Sequence, residues 1–339
     1  MDSLTQIVLG AATAEATIGH KIGNKALLLG AIAGTIPDLD VFASPFLSDV
    51  GELIFHRSFS HSLVFVLFGG WLFAYASWKI FKWKKLDFRD LFLVFSLCFL
   101  THILLDTCTT WGTQLLWPFT TYGYALYNVS VVDPFYTVPF LLILIILLFL
   151  KKENPWRIRL NWFGIILSTS YLCTGLFLQS KASSIFKEQL EKQGIQIEKM
   201  ITKTTPFNII LWSCSAKTSE GYYTGFYSFF DRDNQIDFAF EPTNTELLKP
   251  YLKNSEVQTL IKVTKGYYSI ETMDDGILMN DLRFGKFNGW QGNEKGEYVF
   301  KYTIKPLDNG SINIKQISYR KPVDKTYVKA YIDRISGVK

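Results

Sequence analysis

Apolar and polar positions divide the chain into two unlike halves. Residues 3–18 and 26–36 are short apolar segments separated by Gly19-His20-Lys21-Ile22-Gly23-Asn24-Lys25. Each is shorter than the ~20 residues that cross a bilayer upright. Their small residues (Gly10, Ala11, Ala12, Ala14, Ala31, Ala33, Gly34) suit close helix–helix contact, which predicts a hairpin of short helices buried in a bundle. Pro37 ends the second helix, and Asp38-Leu39-Asp40 follows at its mouth. Residues 62–80 are long enough to span, 91–106 form the next apolar run, Phe135–Leu150 is the most strongly apolar run, and 160–178 is a last span. The pattern predicts an α-helical polytopic membrane domain over residues 1–180, with about six helices, two of them short.

From about Lys181 the character changes. Residues 181–193 read as a polar helix. After Thr202-Lys203-Thr204-Thr205-Pro206 come short aromatic and β-branched runs at 207–215, 221–230, 235–240, 266–272, 297–305 and 311–319. Turn-forming groups such as Asp231-Arg232-Asp233-Asn234 and Asp308-Asn309-Gly310 separate them, as in an antiparallel β domain. Residues 181–339 are therefore expected to form a β-rich (α+β) soluble domain. Gly221-Tyr222-Tyr223 and Gly266-Tyr267-Tyr268 read as strand residues, and Asp274-Asp275-Gly276 as a turn, since the later ligands of a calcium loop are missing.

Composition agrees with this division: 48% hydrophobic residues coexist with 19% charged ones. The four cysteines (Cys98, Cys108, Cys173, Cys214) form no CxxC pair and read as small core residues, not as a disulfide framework or zinc knuckle. Asp2 stands where a signal peptide would carry Lys or Arg, so no cleaved leader is expected. Charge adds an orientation. Lys21 and Lys25, the 79–89 cluster and the 151–159 cluster lie in alternate loops; the intervening loops hold Arg57 as their only basic residue, beside Asp38, Asp40, Asp49, Glu52 and Asp133. By the positive-inside rule the basic loops are cytoplasmic. The other loops and the C-terminal domain are then extracytoplasmic, in a multi-pass membrane protein. The basic clusters flank spans, which argues against nucleic acid as a partner.

The candidate chemistry lies in those other loops. The chain has four histidines; His56 and His61 fall within Ile54–Ser62, and His102 precedes Asp106 by one helical turn. His20, on the basic side, reads as an interfacial residue. With Asp38 and Asp40 the set offers three imidazoles and three carboxylates at a common depth, enough for one or two divalent ions, zinc foremost. Asp38, Asp40, His56, His61, His102 and Asp106 are the expected ligands. A metal-activated water would be the nucleophile, Asp40, if it does not bind the metal directly, a general base, and Arg57 the holder of a phosphate or oxyanion. The helix after His61 is expected to start near Ser60 or His61. Each piece has a plainer meaning: a His–Asp pair can be a helix–helix hydrogen bond, and aspartates after proline are commonly caps. Together, at membrane depth, they point to a site. A metal-dependent hydrolase acting on a membrane lipid or envelope-derived substrate is the leading expectation. A scaffold with a structural metal and a partner-binding β domain is the first alternative. A transporter is the second, disfavoured by the lack of an inverted repeat.

These residues resemble the YdjM-like family of inner-membrane proteins, regarded as metal-dependent hydrolases. The resemblance rests on Met1-Asp2-Ser3-Leu4-Thr5-Gln6, Pro37-Asp38-Leu39-Asp40, His56-Arg57-Ser58-Phe59-Ser60-His61-Ser62, His102-Ile103-Leu104-Leu105-Asp106 and the Gly112–Pro118 stretch, and covers roughly residues 1–180. It implies metal residues at Asp38, Asp40, His56, His61, His102 and Asp106. Many members carry His at the position of Gln6, where this chain departs. A distant similarity to zinc phospholipases C implies a phosphoester substrate. Residues 181–339 look like the added C-terminal region of longer members.

Overall fold

Asp2 accepts the backbone N–H of Thr5 and so starts α1 (Ser3–Ile22). Gly23, at φ 61°, makes the tight turn into α2 (Asn24–Thr35). The two helices approach so closely that a Cβ added at Gly30 would collide with the Gly10 carbonyl and Ala14, and one at Gly34 would meet the Gln6 carbonyl. The small residues are what permit this hairpin. This computed structural model describes residues 1–292, 296–308, 311–319 and 323–338. Asn309, Gly310 and Lys339 lie outside the described residues.

Pro37 opens a 3₁₀ run, Pro37–Phe46, followed by the short α3 (Asp49–Phe55) and a 3₁₀ turn, Phe59–His61. Next comes α4 (Leu63–Phe81), with Ser62 accepting the Phe65 N–H. The cap is Ser62, one or two residues later than the sequence pattern predicts, because residues 59–61 are already spent in their own turn. α5 (Phe88–Thr107) starts at a capping box between Asp87 and Asp90. α6 (Pro134–Phe149) starts with Asp133 as cap and proline in its first turn. α7 runs unbroken from Pro155 to Lys192. The expected span at 160–178 and the expected polar helix at 181–193 are thus one helix. Polarity changes near Gln179-Ser180-Lys181, but no residue there breaks the backbone. The stretches Asn24–Phe46, Leu63–Phe81, Phe88–Thr107 and Pro155–Lys192 are long and apolar enough to cross a membrane, and Pro134–Phe149 is a shorter apolar helix.

Two compact units result. One comprises Met1–Pro45, Phe55–Leu176 and Pro206–Asn208; the other comprises Phe46–Ile54, Phe177–Thr205 and Ile209–Lys339. The first is helical, with two apolar clusters: one from α1, α2, α4 and α5 (Ile18, Leu29, Phe65, Phe95, Phe99) and one from α1 and α6 (Val8, Ala12, Tyr136, Phe140, Leu147).

The second unit carries two four-stranded antiparallel sheets. The first contains β1 (Lys199–Thr204), β2 (Leu211–Lys217), β3 (Gly221–Ser228) and β4 (Ala239–Pro242) in that order. The second contains β5 (Tyr268–Met273), β6 (Gly276–Asp281), β7 (Phe300–Pro306) and β8 (Ile312–Ser318). Asp274 and Asp275 form the β5–β6 turn. β1 lies ahead of the first expected strand, because Lys199–Thr204 pairs along its full length with β2. The run expected at 235–240 yields only the short β4. Two further helices, α8 (Ser255–Val263) and α9 (Lys325–Ile335), were not expected as such. Tyr331 of α9 packs with Leu211 and Trp290 and donates to Thr205 Oγ1 at 2.8 Å.

Candidate metal centre

Three local devices bring side chains from distant segments together. The 3₁₀ run after Pro37 carries Asp38 and Asp40. Arg57 adopts a left-handed backbone, φ 60°, which an L-residue takes at a cost of roughly 1–2 kcal/mol. This reversal leads into the turn that ends at His61. On α5, His102 and Asp106 are four residues apart and share its buried side; their exposures are 1% and 0%.

Asp38, His61, His102 and Asp106 each present one ligand atom, and these atoms all lie within 4.8 Å of one another. His61 Nε2 stands 3.2 Å from His102 Nε2, 3.4 Å from Asp38 Oδ1 and 3.3 Å from Asp106 Oδ2. His102 Nε2 stands 3.4 Å from Asp38 Oδ1 and 3.8 Å from Asp106 Oδ2. Ligands about 2.0–2.1 Å from a tetrahedral ion are separated by about 3.3 Å, so the spacing suits one ion of zinc-like size.

The proton positions strengthen the fit. His102 Nδ1 is 2.7 Å from the Gly34 carbonyl oxygen, which can only accept, so this nitrogen carries the proton. His61 Nδ1 faces Ser60 Oγ at 3.0 Å and the Asp40 carboxylate at 3.5 Å, surroundings that favour the proton on this nitrogen. In the neutral imidazoles both Nε2 atoms then hold lone pairs. Among the described residues Asp106 Oδ2 has no hydrogen-bond partner although it is buried; Arg57 Nε is 3.0 Å away but poorly aligned. Lone pairs on two imidazoles and two carboxylates face one small space, an arrangement that a divalent cation satisfies and an empty apolar site would not.

The remaining expected residues surround this group. Asp40 binds outside it: its carboxylate, with a side chain 3% exposed, takes the Arg57 backbone N–H at 3.0 Å and His56 Nδ1 at 3.2 Å, besides facing His61. His56 is not among the four clustered ligands. Its ring lies 6.1 Å from that of His61 and 6.0 Å from Trp111, with its side chain 29% exposed. Arg57 is buried and directs its guanidinium to Asp106 and, at 2.9 Å, to Thr109 Oγ1. It thereby orients a candidate ligand. Gln6 Nε2 donates to Asp106 Oδ1 at 3.0 Å, and the Met1 amino nitrogen contacts the same oxygen. Sequence reasoning missed Gly34 and Thr109. A backbone carbonyl leaves no residue-type signal, and a threonine after a helix end has many other uses.

A family profile described as YdjM inner membrane protein matches residues 1–182, more than half of the 339-residue chain. The chain belongs to this family. It is 25% identical over 232 residues to the uncharacterized protein YfhP of Bacillus subtilis (strain 168), covering 66% of this chain and 68% of that relative. It is 32% identical over 135 residues to the inner membrane protein YbcI of Escherichia coli (strain K12), covering 36% of this chain and 76% of YbcI. No solved structure matches. As a YdjM-family member with several long apolar helices, the chain is a multi-pass inner-membrane protein whose buried His/Asp cluster could hold a metal ion.

Proposed function

We propose that this YdjM-family chain is a metal-dependent hydrolase of a phosphoester in a membrane lipid or envelope component. The observation that carries the reading is the facing set of lone pairs on Asp38, His61, His102 and Asp106. When bound, a divalent ion, zinc foremost, supplies Lewis acidity to a phosphoryl oxygen and acidifies a coordinated water. The chain's own residues do the rest. Asp40 and the Gly34 carbonyl fix the two imidazoles in the tautomers that present Nε2, and Arg57 holds Asp106 in place. His56, backed by Asp40 and partly exposed, is placed to take or give a proton at its outer nitrogen. Leu39, Val41 and Phe42 beside the aspartates, and Phe119 in the loop that pairs with the His56–Leu63 segment, are exposed apolar side chains. They favour a substrate with an acyl part, which reaches a site at this depth without leaving the bilayer.

We place the site on the extracytoplasmic side. Lys21 pairs with Asp90 at the first turn of α5, whereas Asp106 is in its last turn, about 24 Å away along the axis. The basic turns and the cluster thus lie towards opposite ends of α5, and the positive-inside rule assigns the basic end to the cytoplasm. A reporter fused to the C-terminus and read as cytoplasmic would overturn this orientation.

One observation favours a structural metal instead. Four protein ligands are at hand and three are buried, and closed four-ligand sites are usually structural. Asp38, with a side chain 23% exposed, is the ligand open to solvent or substrate. Metal analysis of the purified full chain, beside His61→Ala and His102→Ala, tests the site: about one zinc or manganese per chain, lost in both variants, is expected. Hydrolysis of a phospholipid by the loaded wild type, absent from both variants, supports the enzyme. Tight metal without hydrolysis across a phosphoester panel favours the structural reading.

A further inference from the structure

The turn between α1 and α2 and the turn between α6 and α7 flank an open surface cleft of ≈ 400 Å³, lined among others by Asn24, Lys25, Leu148, Phe149, Lys151 and Lys152. Its walls are joined by hydrogen bonds. Asn24 Nδ2 donates to the Leu148 carbonyl at 2.9 Å, and Lys152 Nζ reaches the Lys21 carbonyl at 3.5 Å. Behind them the buried Arg157 donates through Nη1 to Asn24 Oδ1 at 2.7 Å and to the Leu147 and Leu150 carbonyls at 2.9 and 2.6 Å. Its Nε and Nη2 are held by Glu15 at 2.6 and 2.8 Å, so Arg157 is neutralised and acts as the clasp. The charge left in the cleft comes from Lys25 and Lys151, both exposed, and from Lys152, which lies 3.7 Å from Glu153.

The apolar surroundings give this charge a direction. Lys25, Leu28 and Ile32 lie at i, i+3 and i+7 of α2, on one face, and Leu28 and Ile32 are 62% and 53% exposed. Across the cleft Phe149 is 84% exposed, with Ile145, Ile146 and Leu148 also open. A cationic mouth thus sits above an apolar stripe at the end of membrane helices. A free anion would use only the mouth, whereas a phospholipid uses both.

We propose that this cleft binds an anionic phospholipid, its phosphate at Lys25 and Lys151 and an acyl chain along Leu28, Ile32 and Phe149. The pre-joined walls mean that binding orders little of the protein, which favours retention of a specific lipid. A lysine near a membrane surface strengthens anionic-lipid attraction by roughly fivefold, so two are worth about 25-fold.

The test uses the detergent-purified full chain and native mass spectrometry with added dioleoylphosphatidylglycerol or dioleoylphosphatidylcholine. Wild type should retain one phosphatidylglycerol with an affinity at least tenfold above that for phosphatidylcholine. Lys25→Gln with Lys151→Gln should lose most of that preference, and Lys84→Gln with Lys85→Gln, which removes equal charge elsewhere, should keep it. Should the double variant fold poorly, Lys151→Gln alone should show a several-fold loss. Equal retention of both lipids, equal loss in the two double variants, or glycerol phosphate binding as tightly as the lipid would each overturn the proposal.

Discussion

His61 and His102 present their Nε2 atoms to each other at 3.2 Å, each with its Nδ1 turned to an acceptor that is not the other ring. Two imidazole lone pairs at this distance repel unless a cation or a shared proton lies between them. The pair is therefore the clearest physical sign that the cluster could hold a cation.

Metal should stabilise the folded chain. An ion that binds only the native state contributes about 2.7 kcal/mol at a free concentration 100 times its Kd. Thermal unfolding of chelator-stripped protein should move up by a few degrees on adding zinc and return on adding chelator. His61→Ala should show no zinc-dependent shift; an unchanged shift would remove His61 from the ligand set.

Asp40→Asn tests a supporting role. The amide keeps the size of the side chain but no longer holds His61 Nδ1 and His56 Nδ1 through a carboxylate. Loss of such outer partners typically weakens metal binding by about 10–100-fold. Competition against a calibrated chelator measures this, and an affinity equal to wild type would show that His61 needs no such support.

The glycine contact between α1 and α2 should matter to the metal as well as to the fold. Gly30→Ala places a methyl against the Gly10 carbonyl and Ala14, so the helices must separate. A cost of about 1–3 kcal/mol is expected for overpacking. Because the Gly34 carbonyl on the same helix accepts from His102, metal affinity should fall too. Destabilisation with full metal affinity would show that the two are uncoupled.

The second unit should gain stability as pH rises from neutral. Lys203 is buried and donates to the Arg283 carbonyl, beside the Arg283–Asp281 ion pair. Burial pushes its ammonium down to about 7 from 10.5, with Asp281 pulling the other way. The unfolded chain therefore holds more protons than the folded one between pH 7 and 10.5. Burying the charge carries its full cost below pH 7, and the cost fades as pH rises towards the unfolded value, with a slope of up to about 1.4 kcal/mol per pH unit. Lys265, lowered to about 8 by burial and then by Arg283, acts in the same direction. Hydrogen exchange of β1 and β2 should slow, beyond the intrinsic pH effect, between pH 7 and 9. Lys203→Met should reduce this slope; an identical slope in the variant would exclude Lys203 as its source.

The positions of the helices follow from local properties. Apolar runs, the Asp87/Asp90 capping box, Asp133 before Pro134 and the small residues of α1 and α2 act within a turn or two, so they can be read along the chain. The same holds for the β character of the C-terminal half. Tertiary structure decided the rest. The polar stretch after residue 180 continues α7, because a change in polarity does not interrupt backbone hydrogen bonds. β1 exists because β2 supplies its partner. At the site, six residues of the right types are visible in the sequence, but only long-range closure sorts them. Asp38 and Asp40 lie in a 3₁₀ helix, where residues two apart point about 120° apart, so one joins the cluster and the other supports it from outside. His56 and His61 are divided by the left-handed turn at Arg57, which brings one ring to His102 and leaves the other beside Trp111. Residue type announces which atoms can bind a metal; only the folded backbone determines which lone pairs meet.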